Sequence, residues 1–265
     1  MHAARLILLS ALLAVSTPHA EPLADPFQEK LQQASRELLG RPYAFSPLGE
    51  GQTPDSDPTL RLDAFDCATY VETVMAMALA DEHSDLQTWL NRIRYQNAQV
   101  GFSQRRHLPD FQWLPQLQQL GLLHDVTRQI GEGTVGQVEA RISPTIWQQR
   151  RWRILEDLPP QAVPSRRIAL PYLPLSQAAA KLARVQQTVL LSVVHAEHPQ
   201  APLLISHQAL LIPHPSGPRV RHARSGGDAR VVEEPLTRFV ARLRGERFWP
   251  VLGLNVAEIR QAAVK

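Results

Sequence analysis

Asp66-Cys67-Ala68-Thr69-Tyr70-Val71-Glu72-Thr73-Val74-Met75-Ala76-Met77-Ala78-Leu79-Ala80 is the stretch on which the fold turns. From Cys67 onward the residues are nearly all apolar, which predicts a helix buried on most of its sides rather than an amphipathic surface helix. Asp63 and Asp66 stand just ahead as candidate caps, so Cys67 falls in the first turn. A thiol there lies at the positive end of the helix dipole, beside backbone N–H groups that lack intrahelical partners, and both features suit a nucleophile and a developing oxyanion. Cys67 is also the chain's single cysteine. A lone cysteine can be an inert buried hydrophobe, an intermolecular partner or a reactive thiol, and the first-turn position favours the last.

Upstream of this helix, Asp25-Pro26 opens a second one, with Phe27, Leu31, Ala34 and Leu38 forming an apolar stripe and Gly40 ending it. The segment from Pro42 to Leu60 is rich in Pro, Gly and Asp and reads as loop. Downstream, a helix is expected from Ser84 through Leu86, Trp89, Leu90 and Ile93. The stretch from about 101 to 174 has weak periodicity and clusters of Pro, Arg and Trp, and reads as an elaboration rather than a separate domain. Three strands then follow, Thr188 to His195, Leu203 to Ile212 and Arg219 to Arg224, the last two joined by the turn formers of Pro213 to Pro218. A helix over Leu236 to Leu243, a short strand over Phe248 to Leu254 and a terminal helix are expected to close the chain. Helices first and antiparallel strands afterwards is the α+β pattern.

The amino terminus has a separate character. Arg5 precedes an apolar run from Leu6 to Val15, which ends in Ser-Thr-Pro-His-Ala; this predicts a secretory signal over residues 1–20, with residues 21–265 as one exported domain, periplasmic in location. The run is too short to span a bilayer, so no integral membrane segment is expected after cleavage. With 28 Lys and Arg against 25 Asp and Glu, the net charge of +3 gives no reason to expect nucleic acid binding. The 22 prolines point to many loops rather than to disorder.

A thiol nucleophile needs a base, and ten histidines are available. His207 stands apart because it interrupts an apolar strand, Leu203-Leu-Ile-Ser-His-Gln-Ala-Leu-Leu-Ile212, on the face it shares with Ile205, Ala209 and Leu211. An imidazole base must be held in one tautomer and orientation by a further polar group, which need not be a carboxylate. His222, on the strand across the turn, can be brought beside His207 by hairpin pairing. His195-Ala-Glu-His198 sits at a strand end and lacks the helical His-Glu-x-x-His spacing, so neither metal nor other cofactor is expected.

These residues together carry a family resemblance. Gly40-Arg-Pro-Tyr43, Phe65-Asp-Cys67 heading a helix, Ser206-His207 on a strand and His222 on the next resemble the NlpC/P60 superfamily of cell-wall cysteine peptidases. The closer resemblance is to the DUF1460 branch, described as N-acetylmuramoyl-L-alanine amidase-like. It rests on Asp66-Cys-Ala-Thr-Tyr-Val-Glu72, Ile93-Arg-Tyr95, Arg105-Arg-His107 followed by Trp113, Asp125-Val-Thr127 and Pro171-Tyr-Leu-Pro174. The ordered set covers nearly the whole mature chain. It departs from the family pattern at Gln186-Gln-Thr, where Gly-Asp is common, at Ala209, where Gly is usual, and at Arg224, where Ser is usual.

The resemblance implies a papain-like NlpC/P60 core with an inserted elaboration, in which Cys67 is the nucleophile, His207 the base and His222 its orienting group. Tyr43 matches the superfamily tyrosine whose hydroxyl serves the oxyanion site, and Arg105 and His107 are implied to face the substrate cleft. The implied substrate is peptidoglycan or a muropeptide, cut at the amide between the lactyl group of N-acetylmuramic acid and L-alanine. The alternatives are cleavage at the γ-D-glutamyl bond to a diamino acid, and a non-catalytic wall-binding protein that has kept the fold. A block of Arg105, Arg106, His107, Trp113, Trp147, Arg150, Arg151 and Trp152 is expected either to wall the cleft or to form a Trp-packed satellite core.

Overall fold

The structure, a computed structural model, describes residues 25–150, 155–198 and 201–261. The expected signal segment, Arg151 and Trp152 lie outside the described residues. Helix α1 (Pro26–Glu37) starts as its sequence predicts, the Asp25 carboxylate accepting from the Phe27 amide at 3.0 Å ahead of Pro26. Helix α2 (Cys67–Leu79) is closed by a reciprocal cap. The Asp66 carboxylate accepts from the Thr69 amide at 2.8 Å while the Thr69 hydroxyl accepts from the Asp66 amide at 2.9 Å. Of the two candidate caps, Asp66 is the one used; Asp63 pairs with Arg61.

The later helices are α3 (Leu86–Arg94), α4 (Leu114–Gln119), α5 (Thr127–Gly131), α6 (Pro144–Arg150), α7 (Leu175–Leu182) and α8 (Leu236–Leu243). The strands are β1 (Leu123–Asp125), β2 (Gly136–Ile142), β3 (Arg166–Pro174), β4 (Val189–His195), β5 (Ile205–Ile212), β6 (Arg219–Arg224), β7 (Arg230–Pro235) and β8 (Val251–Ile259). They form one antiparallel sheet of mixed connection, in the order β2-β3-β8-β4-β5-β6-β7, with β1 beside the carboxyl-terminal half of β8.

Both faces of the sheet are covered. Val71, Val74 and Met75 of α2 pack with Leu190, Val194, Leu210 and Ala223 on one face. On the other, Leu175, Ala178 and Leu182 of α7 and Leu236, Phe239 and Val240 of α8 pack with Leu191, Val193, Ala209 and Val220. That double cover is why β4 is buried at every position and shows no alternation of apolar and polar residues. Truncating any one of these large core side chains to Ala would cost roughly 2–5 kcal/mol.

Two sequence expectations change here, and one of two alternatives is chosen. The chain does not close on a helix among the described residues: the expected short strand runs on as β8 through Ile259. Residues 255–259 include the helix formers Ala257 and Glu258 beside the strand formers Val256 and Ile259, and the segment lies between β4 on one side and β3 and β1 on the other, where ladder pairing decides its state. The 101–174 stretch contributes three strands, and β3 meets β8 at Leu173↔Leu254, so the elaboration extends the sheet itself. Trp147 is fully buried with Leu108, Phe111, Ile142 and Leu158, so it packs a satellite core instead of facing a cleft. No helix of the described residues is long and apolar enough to cross a membrane.

Candidate active site

Pairing between β5 and β6 begins at Leu210↔Arg221 and runs only to Ile212↔Arg219. Toward Ala209 and His222 the strands separate, and the amino-terminal end of α2 and two imidazoles meet in the space. Cys67, His207, His222 and Tyr43 all line one pocket of about 260 Å³ there. A larger groove, about 610 Å³, lies between α1, α5 and α7, and its polar lining contains no cysteine or histidine. Cys67, His207 and His222 are thus brought together by the cap of α2 and the splay of one hairpin.

The hydrogen-bond chain fixes the tautomers. His222 is fully buried, and its Nε2 lies 3.0 Å from Oε1 of Glu234. Bonds from His222 and Arg242 hold the Glu234 carboxyl down at about 2 against the cost of its burial, so it is ionised and can only accept. His222 must therefore carry its proton on Nε2, which leaves Nδ1 as an acceptor. That atom is 2.9 Å from Nε2 of His207, which must then be the donor. The lone pair of His207 is left on Nδ1. Glu234 reaches His222 because the β6–β7 register sets Val220 opposite Glu234 and His222 opposite Val232, placing the two side chains diagonally on one face. Phe239 closes the chain from α8, edge-on to the His222 ring at 5.3 Å.

Burial pushes the Cys67 thiol up to about 12, with the Asp66 carboxylate adding to the effect, although the backbone amides of Gln208, Ala68 and Cys67 donate to the sulfur and oppose it. Burial likewise drives His207 down to about 3, helped by His222 and Arg242. The resting pair is therefore a neutral thiol and a neutral imidazole, and not the preformed thiolate that the helix dipole alone would favour. The Tyr43 hydroxyl is raised to about 12 by burial and by its proximity to Cys67 and Asp66, so it remains a donor. It is anchored by its amide on Ala229 O at 2.7 Å and by pairing with Phe65, two residues before the nucleophile.

The expected pair Arg105 and His107 does not line this pocket. Arg105 is buried to 10% side-chain exposure, 2.7 Å from Asp55, 3.2 Å from Glu50 and 2.7 Å from Leu48 O. His107 bonds Phe102 O at 2.7 Å, and burial lowers it to about 3. Arg94 and Tyr95 converge on the same backbone, bonding Leu48 O at 3.0 Å and Gly49 O at 3.1 Å. Arg94 also meets the buried Glu72 of α2 at 3.1 Å. The motif residues over 93–107 thus pin the 42–60 loop, whose Ser46 amide bonds Asp66 at 3.1 Å and whose Tyr43 lines the same pocket as Cys67. Asp110 supports the other wall, accepting from Leu204 N at 2.6 Å just before the His207 strand.

Sequence reasoning missed Glu234, Arg242 and a third imidazole in the pocket. His195 bonds Trp249 O through Nδ1 at 2.7 Å and Ser206 Oγ through Nε2 at 2.5 Å. Ser206 reaches this position because the β4–β5 register shifts between Val193↔His207 and Val194↔Ile205, leaving it as the unpaired residue of a bulge. The only local signal for the carboxylate was the strand-like Val231-Val-Glu-Glu234 ahead of a proline, and nothing in it marks which Glu turns inward.

The fold has known counterparts. A Legionella pneumophila protein of the DUF1460 family superposes with a TM-score of 0.77 at 23% identity, over 88% of this chain and 89% of that one. An N-acetylmuramoyl-L-alanine amidase from Bacteroides uniformis superposes with a TM-score of 0.69 at 20% identity, over 89% of this chain and 100% of that one. No curated protein sequence matches the chain. The family model of AmiA-like proteins, described as N-acetylmuramoyl-L-alanine amidase-like, matches residues 33–245, which takes in Tyr43, Cys67, His207, His222 and Glu234. The chain belongs to the AmiA-like family of N-acetylmuramoyl-L-alanine amidase-like proteins.

Proposed function

We propose that this protein is a cysteine amidase of the papain-like NlpC/P60 type that hydrolyses the bond between N-acetylmuramic acid and L-alanine in muropeptides. The observation that carries the reading is the convergence on one pocket of a thiol in the first turn of α2 and the directed chain His207, His222, Glu234. In the proposed cycle, Nδ1 of His207 takes the thiol proton as Sγ attacks the amide carbonyl. The tetrahedral oxyanion meets free amides of the first turn of α2 and the Tyr43 hydroxyl. His207 passes its proton to the departing amine, and a water activated by the same imidazole then hydrolyses the thioester. Because thiol and imidazole are both neutral at rest, the ion pair arises only as the transition state forms, where the Glu234 charge is transmitted through His222. The proposal includes export, carried by Arg5 and the apolar run that follows it.

The test is product analysis on N-acetylmuramoyl-L-alanyl-γ-D-glutamyl-diaminopimelate by mass spectrometry. Free tripeptide and free sugar are expected from the wild type and neither from Cys67→Ala. A shortened stem still attached to sugar would replace the amidase reading with an endopeptidase, and no turnover would leave a wall-binding protein.

A further inference from the structure

Among the charged groups that line the catalytic pocket, most are already matched. Arg242 is paired with Glu234, and Glu246 accepts from the Phe248 amide at 3.1 Å at the end nearer His195. Arg224 differs. It is the last residue of β6, half-buried, and among the described residues it has no hydrogen-bond or ion-pair partner; its Nε is buried without one. Its guanidinium lies across Gly227, where a Cβ would stand 2.9 Å from Nη2 and where φ of +65° itself favours glycine. It is also placed at a cost, since the ladder sets Arg224 directly opposite Arg230, and like charges in that relation destabilise a sheet. A guanidinium without a carboxylate partner, lining the pocket that Cys67 also lines, is a site for a carboxylate.

Resting on the amidase reading, we propose that Arg224 is the specificity residue of the cleft and binds the free α-carboxylate of the D-glutamate at the second position of the stem. In the substrate the lactyl carboxyl is consumed in the scissile amide, and the glutamate is linked onward through its γ-carboxyl. Its α-carboxylate is then the first free anion on the stem side of the bond, two residues away. A pocket of about 260 Å³ holds little more than that. Amidation of this carboxylate to isoglutamine removes the charge and keeps the shape, which makes the pair a direct probe.

The experiment is titration calorimetry with the Cys67→Ala protein, using N-acetylmuramoyl-L-alanyl-D-isoglutamate and its isoglutamine counterpart as ligands, so that the result does not depend on which bond is cut. The Cys67→Ala protein should bind the acid about tenfold or more tightly than the amide, the scale of a charge-assisted hydrogen bond. Adding Arg224→Gln should bring that ratio close to one, and Arg224→Lys should keep part of it. Equal binding of acid and amide by the Arg224 protein, a preference that survives Arg224→Gln, or no binding of either ligand would overturn the proposal. Release of dipeptide by the wild type, followed separately, reports on the amidase reading alone. Melting temperatures of the variants within a few degrees of the parent show that the comparison is between folded proteins.

Discussion

Replacing Glu234 by Gln tests the relay from its buried end. The carboxylate is joined to the base by bonds of 3.0 and 2.9 Å through the His222 ring. At the resulting distance of roughly 8 Å, with an effective dielectric of about 20, its charge stabilises the His207 imidazolium by about 2 kcal/mol. Loss of that field alone should lower kcat/KM about 30-fold. A second effect can add to it. Arg242 also donates to Glu234, so a Gln at this position will turn its oxygen to Arg242 and its amide to His222. His222 would then carry its proton on Nδ1, and Nδ1 of His207 would no longer be the free base. The corresponding amide substitution in a serine protease triad costs about 10⁴-fold by this tautomer effect. Steady-state kinetics on a muramyl tripeptide should therefore place Glu234→Gln between about 30-fold and 10⁴-fold below wild type, with Glu234→Asp retaining more activity than Glu234→Gln. A loss under threefold in a folded protein would refute the relay and return Glu234 to the role of an ion-pair partner for Arg242.

Other consequences follow from the same geometry. His207→Ala should be nearly as damaging as loss of Cys67, whereas His222→Ala should leave measurable turnover, because His222 acts through the base; equal losses, measured as kcat on one substrate, would argue against that division. Because His207 is lowered to about 3, it stays neutral and able to accept a proton well below the usual histidine range, so kcat/KM should stay level from about pH 5 to pH 8; an acid limb near pH 6.5 would contradict it. Arg105→Ala leaves Glu50 and Asp55 without their cation and should cost roughly 3–5 kcal/mol, or on the order of 10 °C in Tm by calorimetry. An unchanged Tm with a raised KM would move Arg105 to the substrate.

Local chemistry was legible in the sequence and long-range register was not. The Asp66–Thr69 box spans four consecutive residues, and the first-turn position of Cys67 follows from it. Strand β6 has the predicted bounds, because turn formers flank an alternating segment. Glu234 could not be singled out, since its meeting with His222 depends on how two strands slide past one another. Arg105 was misjudged for a related reason: in a run of charges it resembles a solvated or substrate-facing group, and the carboxylates that claim it lie about fifty residues upstream in a loop. The carboxyl-terminal strand was read as partly helical because the three strands that pair with it, β1, β3 and β4, decide its state more than its own residues do.

The neutral resting state of Cys67 bears on how the protein would survive in the exported setting proposed above. Oxidants and disulfide-forming catalysts attack thiolate, and sulfenic acid on the nucleophile would end its working life. With burial pushing the thiol well above its ordinary range, little of it carries the vulnerable form at neutral pH. Desolvation that delays ionisation until an amide carbonyl is in place thus also shields the sulfur, and the chain holds no second cysteine with which it could be trapped as an internal disulfide.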